Sequence, residues 1–195
     1  MHVSKNPINL RDYEIVIYLL NQMTFYLAEK IRNNNFLNLK NQTTMPVRKL
    51  LDFLNANNVK FVSIHHSKAY TAMEIAHSAH IHGHELAKTV MIKVDGKMAM
   101  AVLPATRMID LDVLKKAIGA NQVELATEPE FVKMFPDCEI GAMPPFGNLF
   151  GMEVYVSSVL AEDEEIAFNA GFLTELIRMW YQDFAELVNP KVLHF

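Results

Sequence analysis

The chain has 195 residues and only one cysteine, Cys138. A single cysteine excludes an intramolecular disulfide framework and fits a reducing compartment. No apolar stretch approaches the roughly 20 residues that cross a bilayer. The short apolar run at 15–20 also lacks the basic start and the small-residue cleavage site of a signal peptide. The sequence therefore predicts a cytoplasmic protein without contact to a membrane.

Common nucleotide and hydrolase motifs are absent as well. The sequence contains no GxSxG, P-loop or GxGxxG pattern, so nucleotide hydrolysis and dinucleotide redox chemistry have no support. Net charge is −4, divided into +2 over residues 1–44 and −6 over the remainder. An acidic body argues against sequence-blind binding to DNA or to another nucleic-acid backbone, which needs a basic face. Local contact with one nucleic-acid end stays possible.

Residues 1–44 differ from the rest of the chain in composition. They hold eight asparagines, and Asn33-Asn34-Asn35 interrupts a possible apolar helix over 10–32. Met45 opens a pattern that looks like a complete domain. We interpret 1–44 as an N-terminal appendage or an over-extended start of the reading frame, and 45–195 as the functional domain. The alternative is a packed N-terminal helix.

Short helices and strands alternate from Met45 onward. Thr71 with Glu74 predicts a capping box, Asp95-Gly96 predicts a hairpin turn, and Asp110 predicts a helix N-cap. The spacing predicts helices over 47–55, 71–79, 110–119 and 127–135, and strands over 59–64, 85–94, 97–103, 123–126, 153–159 and 165–168. The stretch 172–188 fits either one helix or a strand over 174–179 with a short helix after it. These elements predict an α+β fold with a mixed, mostly antiparallel sheet that curls towards a barrel.

Three of the seven glycines, Gly141, Gly147 and Gly151, fall in one short segment that also contains Pro144 and Pro145. Glycine permits positive φ and close backbone approach, whereas proline fixes φ and removes an amide donor. Such a rigid loop can direct backbone N–H groups at a ligand. The alternative is an ordinary tight connection between strands.

Lys88 stands out among the charged residues. In a strand it shares a face with Val90, Ile92 and Val94, which are all apolar. A lysine on such a face is unusual unless its ammonium group meets an anion or a substrate. The alternative is a lysine that extends to solvent at the end of the strand. Lys93, on the opposite face, is interpreted as a solvated residue.

Six of the eight histidines lie between His65 and His84. No HExxH or Cys/His pattern occurs among them, so we expect solvated histidines and no metal site. Cys138 lies three residues before Gly141 and is a possible nucleophile, although lone cysteines are mostly packing residues.

Taken in order, these segments resemble the bacterial YbaK/prolyl-tRNA-synthetase-associated family of aminoacyl-tRNA editing domains. The resemblance covers residues 45–195. It rests on the strand Ala87-Lys88-Thr89-Val90 and on the loop Gly141-Ala-Met-Pro-Pro145 with Phe146-Gly147 after it. Tyr70-Thr71-Ala-Met-Glu74 and Asn169-Ala-Gly171 also resemble family segments.

The resemblance implies a freestanding trans-editing deacylase that hydrolyses the ester between a wrong amino acid and the terminal adenosine of tRNA. It implies no cofactor, the acceptor end of mischarged tRNA as partner, and a possible synthetase partner. It also favours the strand over 174–179. The implied catalytic positions are Lys88, Gly141 and Pro145. The implied substrate-binding positions are Tyr70, Thr71, Thr89, Ala142, Met143, Phe146, Gly147, Asn169, Gly171 and Thr174.

One departure concerns specificity. Some family members carry a histidine in a Gly-x-His-Thr segment, where this chain has Gly171-Phe-Leu-Thr174 with Leu173 at that place. The amino acid removed is therefore open between cysteine, alanine, serine and proline. Two other functions also remain open: a non-catalytic tRNA or nucleotide binder on the same fold, and a hydrolase of small esters or thioesters that depends on Cys138.

Overall fold

Eight strands form one mixed sheet, and short helices pack on both of its faces. The structure is a computed structural model that describes residues 45–136 and 138–195. The interpretation of residues 1–44 therefore lies outside the described residues. Within the described part of the chain, no helix is long and apolar enough to cross a membrane.

The elements follow one another in short segments. The helices are α1 (Met45–Ala56), α2 (Ala72–Ser78), α3 (Leu111–Ile118), α4 (Glu128–Phe131) and α5 (Tyr181–Val188). The strands are β1 (Phe61–His65), β2 (Leu86–Val94), β3 (Lys97–Pro104), β4 (Val123–Leu125), β5 (Glu153–Ser157), β6 (Glu165–Asn169), β7 (Glu175–Trp180) and β8 (Lys191–Leu193). Single 3-10 turns cover Val132–Met134, Gly147–Phe150 and Leu160–Glu162.

The strand order is β1-β7-β6-β2-β3-β5-β8, and β4 adds to one edge of β2. The pairs β1–β7, β7–β6, β2–β3 and β2–β4 are antiparallel, whereas β2–β6, β3–β5 and β5–β8 are parallel. The prediction of an α+β fold with a mixed sheet is confirmed. Among the described residues β1 and β8 do not pair with each other, so the sheet does not close into a barrel.

Local signals placed most element boundaries correctly. The Thr71 hydroxyl accepts a hydrogen bond from the amide of Glu74, whose carboxylate accepts one from the Thr71 amide, so the capping box of α2 is present. Asp110 caps α3, which ends at Gly119 with φ of 74°. At the β2–β3 hairpin, Asp95 and Gly96 both have positive φ, as the turn sequence predicts.

The ambiguous stretch 172–188 contains both a strand and a helix. Strand β7 pairs with β1 on one side and β6 on the other, and α5 begins directly after it. The sheet thus uses the β-forming half of a segment whose apolar spacing also fits one continuous helix. Strand β8 is a short parallel partner of β5 that the sequence analysis did not predict.

The two faces of the sheet are packed differently. On one face a main core joins strand residues to α1, α5 and the Gly141 loop, by which we mean residues 139–147; its largest fully buried members include Leu50, Phe146, Phe168 and Phe184. The other face carries two smaller clusters. The α2 cluster contains Ile75, Leu86, Ala142, Ala167 and Leu176, and the α3 cluster contains Ile92, Leu114 and Tyr155.

Candidate active site

Lys88 lies in β2 between the α2 and α3 clusters. Strand alternation places it on the same face as Leu86 and Ile92, which belong to the two clusters. Its ammonium group donates a hydrogen bond to the backbone carbonyl of Arg107. Burial lowers the pKa of the Lys88 amine because the charged form loses solvation. The side chain is therefore a partly desolvated cation held near an exposed turn.

Gly141 lies at the exposed end of its loop with φ of +88°. A Cβ atom built on it would meet no atom within 4 Å, so the space beside this backbone is open. The amide of Ala142 donates to the carbonyl of Glu139 at 2.9 Å and is already used. Within the described part of the chain, no acceptor is found for the amides of Gly141 and Met143. These two N–H groups are the candidate donors to a ligand.

Asn169 joins the Gly141 loop to the strand face that carries Lys88. It ends β6, and its pairing with Leu176 places it on the face of the α2 cluster. Its Nδ2 lies 3.4 Å from the carbonyl oxygen of Gly141. Its Oδ1 is buried and has no hydrogen-bond partner among the described residues. The amide side chain therefore has a free acceptor at the place where the loop meets the sheet.

Gly171 completes this arrangement. With φ of +105°, it turns the chain after β6, and its amide donates to the carbonyl of Ala142 at 3.0 Å. Thr174 follows, and its carbonyl accepts from the amide of His66 at 3.0 Å. The predicted residues Gly141, Ala142, Asn169 and Gly171 are thus connected directly. Thr174 lies at the same end of the sheet.

Tyr70 and Thr71 precede α2, the helix that covers this face. The Tyr70 side chain is 74% exposed, and the ammonium group of Lys68 lies 5.6 Å from its ring centroid. The Thr71 hydroxyl caps α2, as described above. Thr71 therefore has a structural role that is independent of any substrate contact.

Several predicted positions face the protein interior instead. Thr89 pairs with Val102 and lies on the opposite face of β2 from Lys88. Phe146 is fully buried, with its ring 5.5 Å from those of both Phe168 and Phe184. Met143, Pro144 and Pro145 are buried as well. The side chains of Met143 and Phe146 thus take part in packing the main core.

Gly147 is required for packing. A Cβ atom there would come within 2.8 Å of Val154 Cγ2 and 3.0 Å of the Met152 carbonyl oxygen. Both distances are shorter than a side chain tolerates, so the glycine allows the loop to pack against β5. The prediction that Gly147 contacts the substrate receives no support from this placement.

The structure also shows residues that the sequence analysis missed. Glu139 accepts a hydrogen bond from the amide of Leu173 at 2.6 Å, and its other oxygen lies 3.1 Å from the ammonium group of Lys68. Arg107 supplies the carbonyl that receives Lys88. No motif in the sequence marks Glu139, Lys68 or Arg107, because each makes its contact with a segment that is distant in the sequence.

In the described residues the histidines form no metal centre, and the Cys138 thiol is poorly suited to act as a nucleophile. There, no group of three or more His, Cys, Asp or Glu side chains is arranged to hold a metal ion. The rings of His82 and His84 stack with centroids 5.4 Å apart. Burial raises the pKa of the Cys138 thiol to about 12, and the neighbouring Glu139 carboxylate adds to the shift. Very little thiolate, the nucleophilic form, is therefore present at neutral pH.

Comparisons with known proteins identify the family of this chain. The model of the family described as the aminoacyl-tRNA editing domain matches residues 66–187. The chain belongs to this family. The multifunctional Ser/Thr-tRNA deacylase ProXp-y of Escherichia coli is 32% identical over 114 residues, which are 56% of this chain and 68% of that protein. The resemblance recognised from the sequence is thereby confirmed.

A solved structure supports the fold of the editing domain. It is described as a candidate trans-editing enzyme for prolyl-tRNA synthetase, and it superposes with a TM-score of 0.66 at 20% identity. The match covers 79% of this chain and 99% of that one. At this level of identity the likeness concerns the fold alone.

The editing-domain geometry fits hydrolysis of an activated ester. Such a reaction needs a positioned water molecule and donors directed at the oxyanion that develops on the carbonyl oxygen. The amides of Gly141 and Met143, which have no acceptor among the described residues, are candidate donors of this kind, and Lys88 is a cation on the same face of the sheet as Asn169. Leu173, which stands where some family members have histidine, is 7% exposed and packs in the α2 cluster. It contributes an apolar surface at this position.

Proposed function

We propose that this protein is a freestanding aminoacyl-tRNA deacylase that removes wrongly attached amino acids in trans. The observation that carries the proposal is the open, exposed backbone at Gly141. The Gly141 carbonyl accepts a hydrogen bond from the side chain of Asn169, which lies on the same face of the sheet as the half-buried Lys88. Membership of the editing-domain family supports the same reaction.

In the proposed mechanism, water attacks the ester carbonyl carbon and the bond to the ribose oxygen breaks. The amides of Gly141 and Met143 donate to the developing oxyanion. Lys88 acts as a cation that holds the terminal phosphate or ribose oxygens. We propose that a ribose hydroxyl of the substrate, and not a protein side chain, orients the water. The leaving ribose oxygen takes up the proton that the water loses.

In the proposed mechanism, Pro144 and Pro145 have a structural role. Both are buried and both have a restricted φ, so they fix the path of the loop behind Gly141. Pro145 thereby positions the donor amides and does not itself contact the ester. Thr89 on the core face of β2 similarly supports the strand that carries Lys88.

The proposed substrates are tRNAs charged with small amino acids that carry a hydroxyl group. The relative from Escherichia coli is named for its action on Ser- and Thr-tRNA, and serine was among the amino acids that the sequence left open. We propose seryl and threonyl esters as the first substrates to test. The same proposal includes two further points. The protein is located in the cytoplasm, where charged tRNA is used, and an aminoacyl-tRNA synthetase binds it.

A panel of mischarged tRNAs tests the proposal. Purified protein is incubated with tRNAs that carry serine, threonine, alanine, cysteine or proline, and loss of the aminoacyl group is followed against the spontaneous rate. Multiple turnovers with at least one of them are expected. Binding to charged tRNA without turnover would instead support the non-catalytic binder, and activity only with small esters would contradict a tRNA substrate.

The thiol-dependent alternative predicts a different mutant phenotype. Cys138→Ala removes the only cysteine in the chain. Because the raised pKa leaves little thiolate, we expect the variant to keep deacylation within about two-fold of wild type. A thousand-fold loss in a variant with an unchanged melting temperature would instead identify Cys138 as the nucleophile.

A further inference from the structure

Glu139 connects three separate segments around the Gly141 loop. Its backbone amide donates to the carbonyl of Gly171 at 2.9 Å, and its own carbonyl accepts from Ala142. Its carboxylate accepts from the amide of Leu173 at 2.6 Å, and the second oxygen lies 3.1 Å from Lys68 Nζ. One residue thus contacts the loop, the turn after β6 and the segment before α2.

These contacts fix the turn at residues 171–174 relative to the Gly141 loop. Leu173 is buried against the α2 cluster, and Gly171 is bonded to Ala142. The chain turns away from strand β6 at Gly171, which has a positive φ. Because of this turn, the amides of residues 172–174 are not placed for regular pairing with a neighbouring strand. The carboxylate of Glu139 supplies the acceptor that the amide of Leu173 otherwise lacks.

The bond to Leu173 matters more than the ion pair with Lys68. The Lys68 and Glu139 side chains are 48% and 35% exposed, and ion pairs with this exposure contribute little because water screens them. The hydrogen bond from the Leu173 amide is short and directional, and it ties the Glu139 side chain to the backbone of the turn. The hydrogen bond from the backbone amide of Leu173 is also the largest cause of the lowered pKa of Glu139.

We propose that Glu139 is a positioning residue that sets the width of the aminoacyl site. By holding Leu173, its carboxylate fixes the distance between the turn 171–174 and the open backbone at Gly141, where the ester is placed. This inference rests on the proposed function and adds a determinant of substrate size to it. Glu139 acts through Leu173 and takes no part in the chemical step.

Two substitutions separate the effect of side-chain length from the effect of side-chain charge at Glu139. Glu139→Gln keeps the length of the side chain and an oxygen that accepts from Leu173, but it loses the charge. Glu139→Asp keeps the charge, but it is one methylene shorter and does not reach the amide in the same backbone position. Lys68→Ala is the matched control, since it removes the ion pair and leaves the bond to Leu173 intact.

The measurement is kcat/KM for seryl-tRNA and threonyl-tRNA, with a thermal melt of each variant. These substrates differ by one methyl group, so their ratio reports the width of the site. We expect Glu139→Asp to lower kcat/KM for seryl-tRNA about ten-fold and to change the seryl-to-threonyl ratio at least three-fold. Glu139→Gln and Lys68→Ala should stay within about two-fold of wild type in both quantities.

Three results overturn this inference. One is an unchanged ratio in Glu139→Asp. Another is an equal loss with both substrates that follows the melting temperature, which indicates a structural role only. The third is a Glu139→Gln variant that behaves as Glu139→Asp does, which assigns the effect to charge. If wild-type protein hydrolyses none of the charged tRNAs, the proposed function itself fails, and that result is distinct from these three.

Discussion

Lys88 and Lys93 lie on the same strand and have opposite surroundings. Lys88 donates to the Arg107 carbonyl and has a lowered pKa through burial. Lys93, interpreted from the sequence as a solvated residue, lies 2.8 Å from Glu124 and 2.7 Å from Glu130. Among the described residues the first cation therefore has no ion pair, whereas the second is neutralised by two carboxylates.

Substitution of each lysine by alanine tests this difference. Lys88→Ala should reduce deacylation of the best charged tRNA at least about ten-fold, the effect of one lost charge-assisted contact. Its melting temperature should change little, because the Arg107 carbonyl is in an exposed turn where water replaces the lysine. Lys93→Ala should retain activity. Equal activity of the two variants would remove Lys88 from the site.

Gly141 and Gly151 form a second matched pair. Both have positive φ, +88° and +69°, and a Cβ atom at either would meet nothing within 4 Å. Alanine should therefore destabilise the fold at both positions by about 1 to 2 kcal/mol through backbone strain alone. Only Gly141→Ala should also lose turnover, because its methyl group enters the space that the ester needs. The check is deacylation with chemical unfolding of both variants, and equal turnover in both would contradict the assignment.

At the level of residues, the sequence predicted those that depend on local chemistry. Lys88 became a candidate because it is a charge on an apolar strand face, and Gly141 because it is a glycine close to two prolines. Glu139 was not a candidate, since its contacts are with the turn after β6 and with Lys68, which are distant in the sequence. Phe146 lies in a loop segment that resembles the family, but only the packing shows that its ring faces the core.

Two capping boxes allow a comparison between elements. The Glu74 carboxylate accepts from the amides of Tyr70 and Thr71 at 3.2 and 3.1 Å, next to the candidate site. The Glu130 carboxylate accepts from the amide and hydroxyl of Thr127 at 2.7 and 2.8 Å, before α4. Both boxes begin short helices, but only the first belongs to the helix that covers the Lys88 face.

Thr71→Ala and Thr127→Ala should each cost about 1 kcal/mol of stability, the usual effect of losing an N-cap. Only Thr71→Ala should also raise KM for charged tRNA, because it releases the segment that carries Tyr70. Thr71→Asp, which restores a cap acceptor, should recover the stability. Steady-state kinetics and melting curves provide the check. An unchanged KM in Thr71→Ala would show that the first box has a structural role only.

The capping box of α2 also has an expected pH dependence. Hydrogen bonds from backbone amides lower the pKa of Glu74 in the folded state, and the bond from Thr71 has the largest effect. A carboxyl with a lowered folded pKa stabilises the fold above its unfolded pKa, and this contribution is lost as the pH falls through the folded value. The melting temperature of wild type should therefore fall towards that of Glu74→Gln in acid, and the two should differ most at neutral pH.

Element boundaries were predictable where capping and turn residues mark them, as at Thr71, Asp95-Gly96 and Asp110. The boundaries within residues 172–188 were not predictable, because the apolar residues there fit both the spacing of a helix and the alternation of a strand. Pairing with β1 and β6 decides between the two. Strand β8 has three residues and pairs with β5 alone among the described strands, and three residues are too few to show an alternating pattern.

At the scale of the described domain, the proposed mechanism assigns stability to one face of the sheet and function to the other. The main core on one face holds the large aromatic residues, and α1 seals it with Leu50 and Leu54, both fully buried. The opposite face has two small clusters with Lys88 between them. This division explains how an acidic protein can act on tRNA, because contact confined to the acceptor end needs only a local cation.

The importance of α1 leads to a prediction about the length of the functional domain. A protein that begins at Met45 keeps all of α1, so we expect cooperative melting and deacylation within about two-fold of the full chain. A protein that begins at Val59 lacks Leu50 and Leu54 and exposes the main core, and burial of each leucine contributes about 1.5 to 3 kcal/mol. It should lose cooperative melting. Circular dichroism melts and deacylation assays on both proteins and the full chain provide the measurement. If the protein from Met45 is insoluble or melts without cooperativity, residues 1–44 are part of the folded domain.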